Sequence, residues 1–263
     1  MSITTMTTTA RIKRRLGLIA GAGLALLAGV AQADTATCAK FNHDGVGAVV
    51  CTVQAGADVR LWLRDATGHP YGQFEAVKNA LPEGVRLVFA MNAGMYHLDR
   101  TPVGLHIEAG REIAPIVTAA GPGNFGMRPN GVFCVGANGF EVAESRDFAK
   151  APRDCRYASQ SGPMLVIDGA LHPRFLPDSS SRYIRNGVGV SADGQTAYFA
   201  ISDRPVTFYD FARLFRDGLA VPNALYFDGS ISRLYAPSVG RADLGRVMGP
   251  IIGVVAPKVQ SGG

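Results

Sequence analysis

The acidic side chain in the most telling setting is Asp228. It ends an apolar run, Ala224-Leu-Tyr-Phe227, of strand length and composition, and Gly229, Ser230 and Ser232 follow at once. A carboxylate at the mouth of a buried strand, beside a glycine that lets a ligand approach backbone, is placed for base or nucleophile work. The setting recurs along the chain. Asn92 follows Leu87–Met91, and Gln160 and Ser161 precede Gly162-Pro163 and the run Met164–Ile167, which Asp168-Gly169 closes. Asp203 and Arg204 follow Ala197–Ser202, and Arg182 and Arg185 stand just before Gly187. Each alone also reads as a turn, a cap or a satisfied core hydrogen bond. Their number points to a rigid sheet that presents a ligand site at its strand ends.

Other chemistries lack their signatures. There is no Gly-x-Ser-x-Gly elbow, P-loop, dinucleotide fingerprint or His-Glu-x-x-His helix. Ser179-Ser-Ser181 reads as polar loop, and His97 has no acid–base partner in its neighbourhood, so neither enters the candidate site. No loop has calcium-site spacing, and no metal or cofactor is expected.

The elements that must position these residues are mostly strands. Runs at Ala48–Val53, Val59–Leu63, Val85–Met91, Gly104–Ile107, Val132–Val135, Met164–Ile167, Gly187–Val190, Ala197–Ser202 and Ile251–Val255 are expected as strands, with hairpin turns at Asn138-Gly139 and Asp193-Gly194. Two segments have helical spacing. One carries Phe74, Val77 and Leu81 and ends at Pro82-Glu83-Gly84. The other runs Thr207–Asp217, with Thr207 as N-cap, a stripe of Phe208, Phe211, Ala212 and Phe215, and Gly218 as its stop. The expected fold class is α+β, a single domain with a mixed or antiparallel β-sheet core and few helices.

The first 33 residues read as a signal peptide. Arg11–Arg15 is a basic n-region, Leu16–Val30 an apolar h-region too short for a comfortable span, and Ala31-Gln-Ala33 a small-x-small cleavage site. The expectation is an exported, periplasmic or secreted domain over 34–263, with no stable membrane insertion once the leader is removed. Four of the 26 basic residues lie in that leader, which leaves 22 against 21 acids. That balance argues against a nucleic-acid partner, which needs a clustered basic face. In an oxidising compartment Cys38, Cys51, Cys134 and Cys155 are expected as two disulfides, with wide spacings that fit no zinc site. Three pairings are open. The local one, Cys38–Cys51 with Cys134–Cys155, closes loops worth roughly 3 kcal/mol each.

Asn92-Ala-Gly-Met-Tyr96, Pro102-x-Gly104, Gln160-Ser-Gly-Pro163-Met-Leu165 through Asp168-Gly169, Arg185-x-Gly187-x-Gly189 and Ala224-Leu-Tyr-Phe-Asp228-Gly-x-x-Ser232 occur in this order. Together they resemble the phosphodiester glycosidase family, that of the uncovering enzyme N-acetylglucosamine-1-phosphodiester α-N-acetylglucosaminidase, and in particular its small exported bacterial branch. The resemblance covers roughly Leu87–Val255. The family's Asp-Gly-Gly-Gly-Ser turn stands here as Asp228-Gly229-Ser230-Ile231-Ser232, and its Asn-Gly-Gly-Phe-Phe motif as Asn92-Ala93-Gly94-Met95-Tyr96. The lost glycines narrow how closely a ligand can approach that backbone.

The resemblance implies an exported hydrolase that cleaves a sugar-1-phosphodiester in a cell-envelope or related glycan. Its leaving group is a phosphate monoester, so little general-acid help is needed. The site then needs a cation on the phosphate, groups on the sugar hydroxyls and a carboxylate near the anomeric carbon. Arg185 is the candidate for phosphate, and Asp228 and Asp203 for the carboxylates. Asn92, Tyr96, Gln160, Ser232 and Gly229 form the expected substrate-binding set. Two alternatives stay open: a non-catalytic carbohydrate- or phosphate-binding protein on the same scaffold, and a hydrolase of another bond specificity.

Overall fold

The computed structural model describes residues 1–3, 35–228 and 231–258. The expected leader, beyond its first three residues, and the turn residues Gly229 and Ser230 lie outside the described residues. The chain divides after Ala33 into two units, and the strands and helices among the described residues belong to the second.

Its strands are β1 (Ala36–His43), β2 (Val46–Gln54), β3 (Asp58–Trp62), β4 (Val85–Asn92), β5 (His106–Glu108), β6 (Arg111–Ala114), β7 (Gly131–Gly136) and β8 (Gly139–Glu144). There follow β9 (Cys155–Ser161), β10 (Met164–Ile167), β11 (Ala170–Leu171), β12 (Asn186–Val190), β13 (Thr196–Ser202), β14 (Asn223–Tyr226), β15 (Leu234–Ala236), β16 (Arg241–Ala242) and β17 (Ile251–Pro257). The α-helices among the described residues are short: α1 (Phe74–Asn79), α2 (Ser145–Lys150) and α3 (Phe208–Arg213).

The strands form three sheets, ordered β1-β2-β13-β12-β14-β10-β11, β16-β15-β4-β17-β3 and β6-β5-β9-β7-β8. The expected mixed or antiparallel core is antiparallel in every pairing described. The α+β class and single domain stand.

Strand periodicity explains the layers. In β2, Val49, Cys51 and Val53 face a core shared with Phe89 and Met91 of β4, Phe133 of β7 and Ile252 of β17. The alternate residues Ala48 and Val50 face the other way, onto Phe211, Ala212 and Phe215 around α3. The seven-stranded sheet is thus covered on both faces, which is why β13 and β14 read as unbroken apolar runs. Phe199 of β13 packs against Phe89 and Phe133 at 5.4 Å and Phe227 at 6.5 Å between ring centroids. On the far face of the second sheet, Phe74 and Val77 of α1 pack with Trp62, Leu87 and Ile251.

The local disulfide pairing is the one present. Cys38–Cys51 joins directly opposed residues of β1 and β2, and Cys134–Cys155 ties β7 to the start of β9. Among the described residues no helix is long and apolar enough to cross a membrane.

Two helix details differ from expectation. Thr207 caps α3, its hydroxyl accepting from Asp210 N–H at 3.0 Å, but the chain runs on from α3 through a π-turn over Leu214–Gly218. Gly218 is not a left-handed stop. It lets the turn lie against β1, where an added Cβ would sit 3.0 Å from the His43 ring. The helix α2 escapes sequence reading because its cap is Glu144, whose carboxylate accepts from Arg146 and Asp147 N–H, rather than a Ser, Thr, Asp or Asn.

Replacing Phe199 with Ala leaves a hole among three other phenylalanines at the meeting of all three sheets. It should destabilise the protein by about 3–5 kcal/mol, read as a lower urea midpoint with an unchanged slope.

Candidate active site

The ends of the three sheets meet at one place, and buried side chains fasten them there. Asn92, the last residue of β4, donates from Nδ2 to Asn186 Oδ1 at 3.1 Å, and Asn186, the first of β12, donates back to the Asn92 carbonyl at 2.8 Å. Asn92 Oδ1 accepts Arg233 N–H at 2.9 Å. Both asparagines are fully buried, so this reciprocal pair works in low dielectric, where a satisfied network is strong and a broken one costly. On the third sheet, the Ser161 hydroxyl donates to the Phe227 carbonyl, which ties β9 to the end of β14.

Gln160, also in β9, is the hub of the loops beside the site. Its Oε1 accepts Leu105 N–H and Val117 N–H, each at 2.9 Å, and its Nε2 donates to Val117 O at 2.6 Å and Ser145 Oγ at 2.8 Å. The motif glycines serve this hub. An added Cβ at Gly94 would lie 2.4 Å from the Gln160 carbonyl, and one at Gly104 would lie 2.3 Å from Gln160 Oε1. Their lack of a side chain is a packing requirement around Gln160.

Asp228 stands just past β14, nearly buried, where two cavities adjoin. One, of about 630 Å³, is lined by Met95, Tyr96, Val103, Val117, Phe125 and Val247 among others. The second, of about 640 Å³, is lined by Ser181, Tyr183 and Arg185, and it shares Met95, Gly123, Asn124 and Asp228 with the first. Among the described residues Asp228 is the one carboxylate lining either cavity.

Arg185 is buried to 1 % exposure, yet no carboxylate among the described residues pairs with it. Its Nε donates to Val206 O at 2.9 Å, Nη2 to Ser181 O at 3.1 Å and Nη1 weakly to Tyr226 Oη at 3.4 Å. The guanidinium lies 3.6 Å from the centroid of the Phe208 ring, a cation–π contact, with the Tyr183 and Tyr226 rings at 5.5 Å. Phe208 itself stacks on Phe175, and Phe175 on His172. Burial lowers the Arg185 pKa, opposed by the Tyr226 oxygen, and a guanidinium still remains charged. Burial raises the Tyr226 phenol well above its ordinary value, and the charge of Asp228 adds to this. Tyr96 is raised by the same two causes, burial first.

The candidate residues therefore divide. Asp228, Arg185 and Tyr96 line the adjoining cavities. Asn92 and Gln160, expected to orient sugar hydroxyls, are fully buried and turned to protein partners. In this structure their side chains fasten the walls of the site. The Ser232 hydroxyl lies 2.9 Å from the Ile184 carbonyl and 3.0 Å from the Asp228 carbonyl and donates its one proton to either. Gly229 lies outside the described residues. Asp203 is at the same end of the sheet but exposed, its backbone N–H on Gly47 O and its carboxylate 3.8 Å from Arg241. It lines neither cavity with Asp228. Asp168 sits at the β10–β11 turn with φ 46°, its N–H held by Asn223 Oδ1, and Arg182 pairs with Asp210 at 3.5 Å on the surface. Sequence reading missed Asn186, Phe208, Tyr183 and Asn124. Only Asn186 left a signal, a polar residue at a strand start directly after Arg185. Among the described residues no three His, Cys, Asp or Glu side chains cluster as metal ligands.

The description of the phosphodiester glycosidase family matches residues 86–250, a span that contains Asn92, Gln160, Arg185 and Asp228. This chain belongs to that family. The uncharacterized protein YigE of Escherichia coli (strain K12) is 37% identical over 177 residues, 67% of this chain and 69% of that protein. The fold is similar to the catalytic domain of zebrafish N-acetylglucosamine-1-phosphodiester α-N-acetylglucosaminidase, auto-inhibited by its pro-peptide, with a TM-score of 0.57 and 14% identity over 83% of this chain and 81% of that one. At that identity the likeness is one of fold. In this member of the family both motif asparagine and motif glutamine are buried.

If Gln160 holds the walls, Gln160→Ala strands Leu105 N–H, Val117 N–H and Val117 O. It should lower stability by about 3 kcal/mol, seen as a lower thermal midpoint. A residue serving only as a ligand contact would leave the midpoint unchanged.

Proposed function

We propose that the protein is an exported hydrolase that cleaves the bond between a sugar's anomeric carbon and a phosphodiester oxygen, in a cell-envelope or related glycan. The observation that carries this reading is Asp228 at the junction of two cavities, one walled by the uncompensated cation Arg185 and the other by Tyr96 and Phe125. Membership of the phosphodiester glycosidase family supports a hydrolase in general. The two disulfides support an oxidising compartment.

In this reading the phosphate lies against Arg185. Val206, Ser181 and Tyr226 occupy three of the five guanidinium N–H groups, which leaves two for phosphate oxygens. The anomeric carbon lies beside Asp228, and the sugar ring extends over Tyr96 and Phe125. Asp228 takes a proton from water as the water oxygen attacks the anomeric carbon. The bond to the phosphodiester oxygen breaks, and its electron pair leaves with the phosphate monoester. That group is a weak base, so the negative charge it gains needs Arg185 rather than a proton donor. One carboxylate is then enough, and Asp203, held on Arg241, has no part in the step. Asn92, Gln160 and Ser232 act through the backbone they fasten.

The test is release of product from a panel of sugar-1-phosphodiesters by the protein and its variants. Asp228→Asn should lower kcat by about 10³-fold, within the range for loss of a general base. Arg185→Ala should lower kcat/KM with the fold intact by circular dichroism. Unchanged turnover in Asp228→Asn would remove the assignment. Saturable binding of a donor without turnover would instead favour a binding protein on this scaffold.

A further inference from the structure

A further cavity adjoins the site through Ala120. Arg128, Arg146 and Arg174 line one cavity of about 450 Å³, together with Ala120, Gly126, Pro129 and Glu144. Arg128 is half-buried, and Arg146 and Arg174 are exposed. The arginines come from three separate places: the loop before β7, the start of α2 and the segment after β11. Elsewhere this chain sets Arg60, Arg153, Arg213 and Arg241 against carboxylates. None of these three has such a partner among the described residues. Glu144, the one acid in the cavity, is engaged: its carboxylate accepts Arg146 N–H at 2.7 Å and Asp147 N–H at 3.1 Å. Three guanidinium groups against one committed carboxylate leave a local excess of positive charge. Planar guanidinium forks match the oxygens of phosphate or carboxylate in both charge and geometry.

The position of this cavity gives it a use. Ala120 lines both it and the 630 Å³ cavity beside Asp228. A ligand whose sugar fills the latter, and which continues away from the scissile bond, passes over Ala120 to the arginines.

We infer that Arg128, Arg146 and Arg174 form an anion subsite for a second phosphate or carboxylate on the glycone side of the substrate. The substrate is thereby a polyanionic glycan or glycosyl-phosphate chain rather than a single neutral sugar on a phosphodiester. The subsite's place on the substrate rests on the proposed hydrolase reading. Its affinity for anions does not.

Two experiments separate these. Binding of inorganic tripolyphosphate is measured by calorimetry at low and high salt for the wild type, the Arg146→Ala/Arg174→Ala double variant, the corresponding Lys double variant and Arg185→Ala. The expected result is a salt-sensitive site beside any binding at Arg185, weakened at least tenfold in the Ala double variant, partly restored by Lys and retained in Arg185→Ala. Equal affinity in wild type and Ala double variant overturns the inference. Repeating the titration with polygalacturonate tells phosphate from carboxylate preference. Donors with and without a second phosphate on the sugar are then compared. The Ala double variant should raise KM about tenfold for the doubly charged donor, at unchanged kcat, and leave the singly charged donor alone. An equal effect on both donors overturns the assignment to the glycone side. Absence of turnover for every donor, with arginine-dependent binding intact, sinks the hydrolase reading and leaves the anion site standing.

Discussion

The arrangement depends most on one buried contact, the reciprocal amide pair of Asn92 and Asn186. Each residue ends or begins a strand in a different sheet, and each lies at full burial where no water replaces a lost partner. Main-chain ladders cannot fasten two packed sheets to each other, because their hydrogen bonds run within a sheet. The asparagines supply that cross-link in side-chain form, and Asn92 adds a bond to Arg233 N–H that fixes where β15 begins. The mouth of the cavity is therefore set by polar geometry. Hydrophobic packing behind it supplies the free energy but little of the register.

Arg185 poses the complementary problem. A charge at this depth is costly unless something receives it. Two carbonyls and the faces of three aromatic rings receive it here without neutralising it. A carboxylate would have met the local electrostatic need more simply, but would have consumed the positive potential. Carbonyls and ring faces orient the guanidinium and keep its net charge available to an incoming anion. The stack of Phe208, Phe175 and His172 keeps the principal ring in place.

Much of this was readable from residues alone. Apolar runs ending in polar residues beside glycine marked the strand mouths at Asn92, Gln160, Arg185 and Asp228, and all four meet at one end of the sheets. What sequence could not give was the direction of each side chain. Asn92 and Gln160 have the same local signature as Asp228, yet their partners come from residues far along the chain, such as Asn186 and Ser145. Asp203 has the signature too, but its neighbour in the sheet is the edge pair β2–β1, and Arg241 lies across from it. The Phe208 platform was visible only as part of a helical stripe. Its ring meets an arginine as well as Phe175 and Tyr226, because the first residue of α3 lies against the Arg185 guanidinium. Glu144 shows a further limit, since a glutamate at a cap position carries no distinguishing local pattern.

The register of β4 has a consequence for how the molecule comes into being. Its partners are β15 and β17, which lie some 140 to 170 residues later in the chain, so the second sheet has no internal strand pairing until nearly the whole polypeptide exists. Contacts of such long range are slow to form and leave strand edges open meanwhile. Asn92 likewise waits for both Asn186 and Arg233. A chain emerging from its N-terminus can complete the β1–β2 hairpin and its disulfide early, but the cavity walls close only when the last strand docks. Binding capacity is thus the last property the polypeptide acquires as it folds, and loss of the C-terminal strand would abolish it while leaving every site residue in the chain.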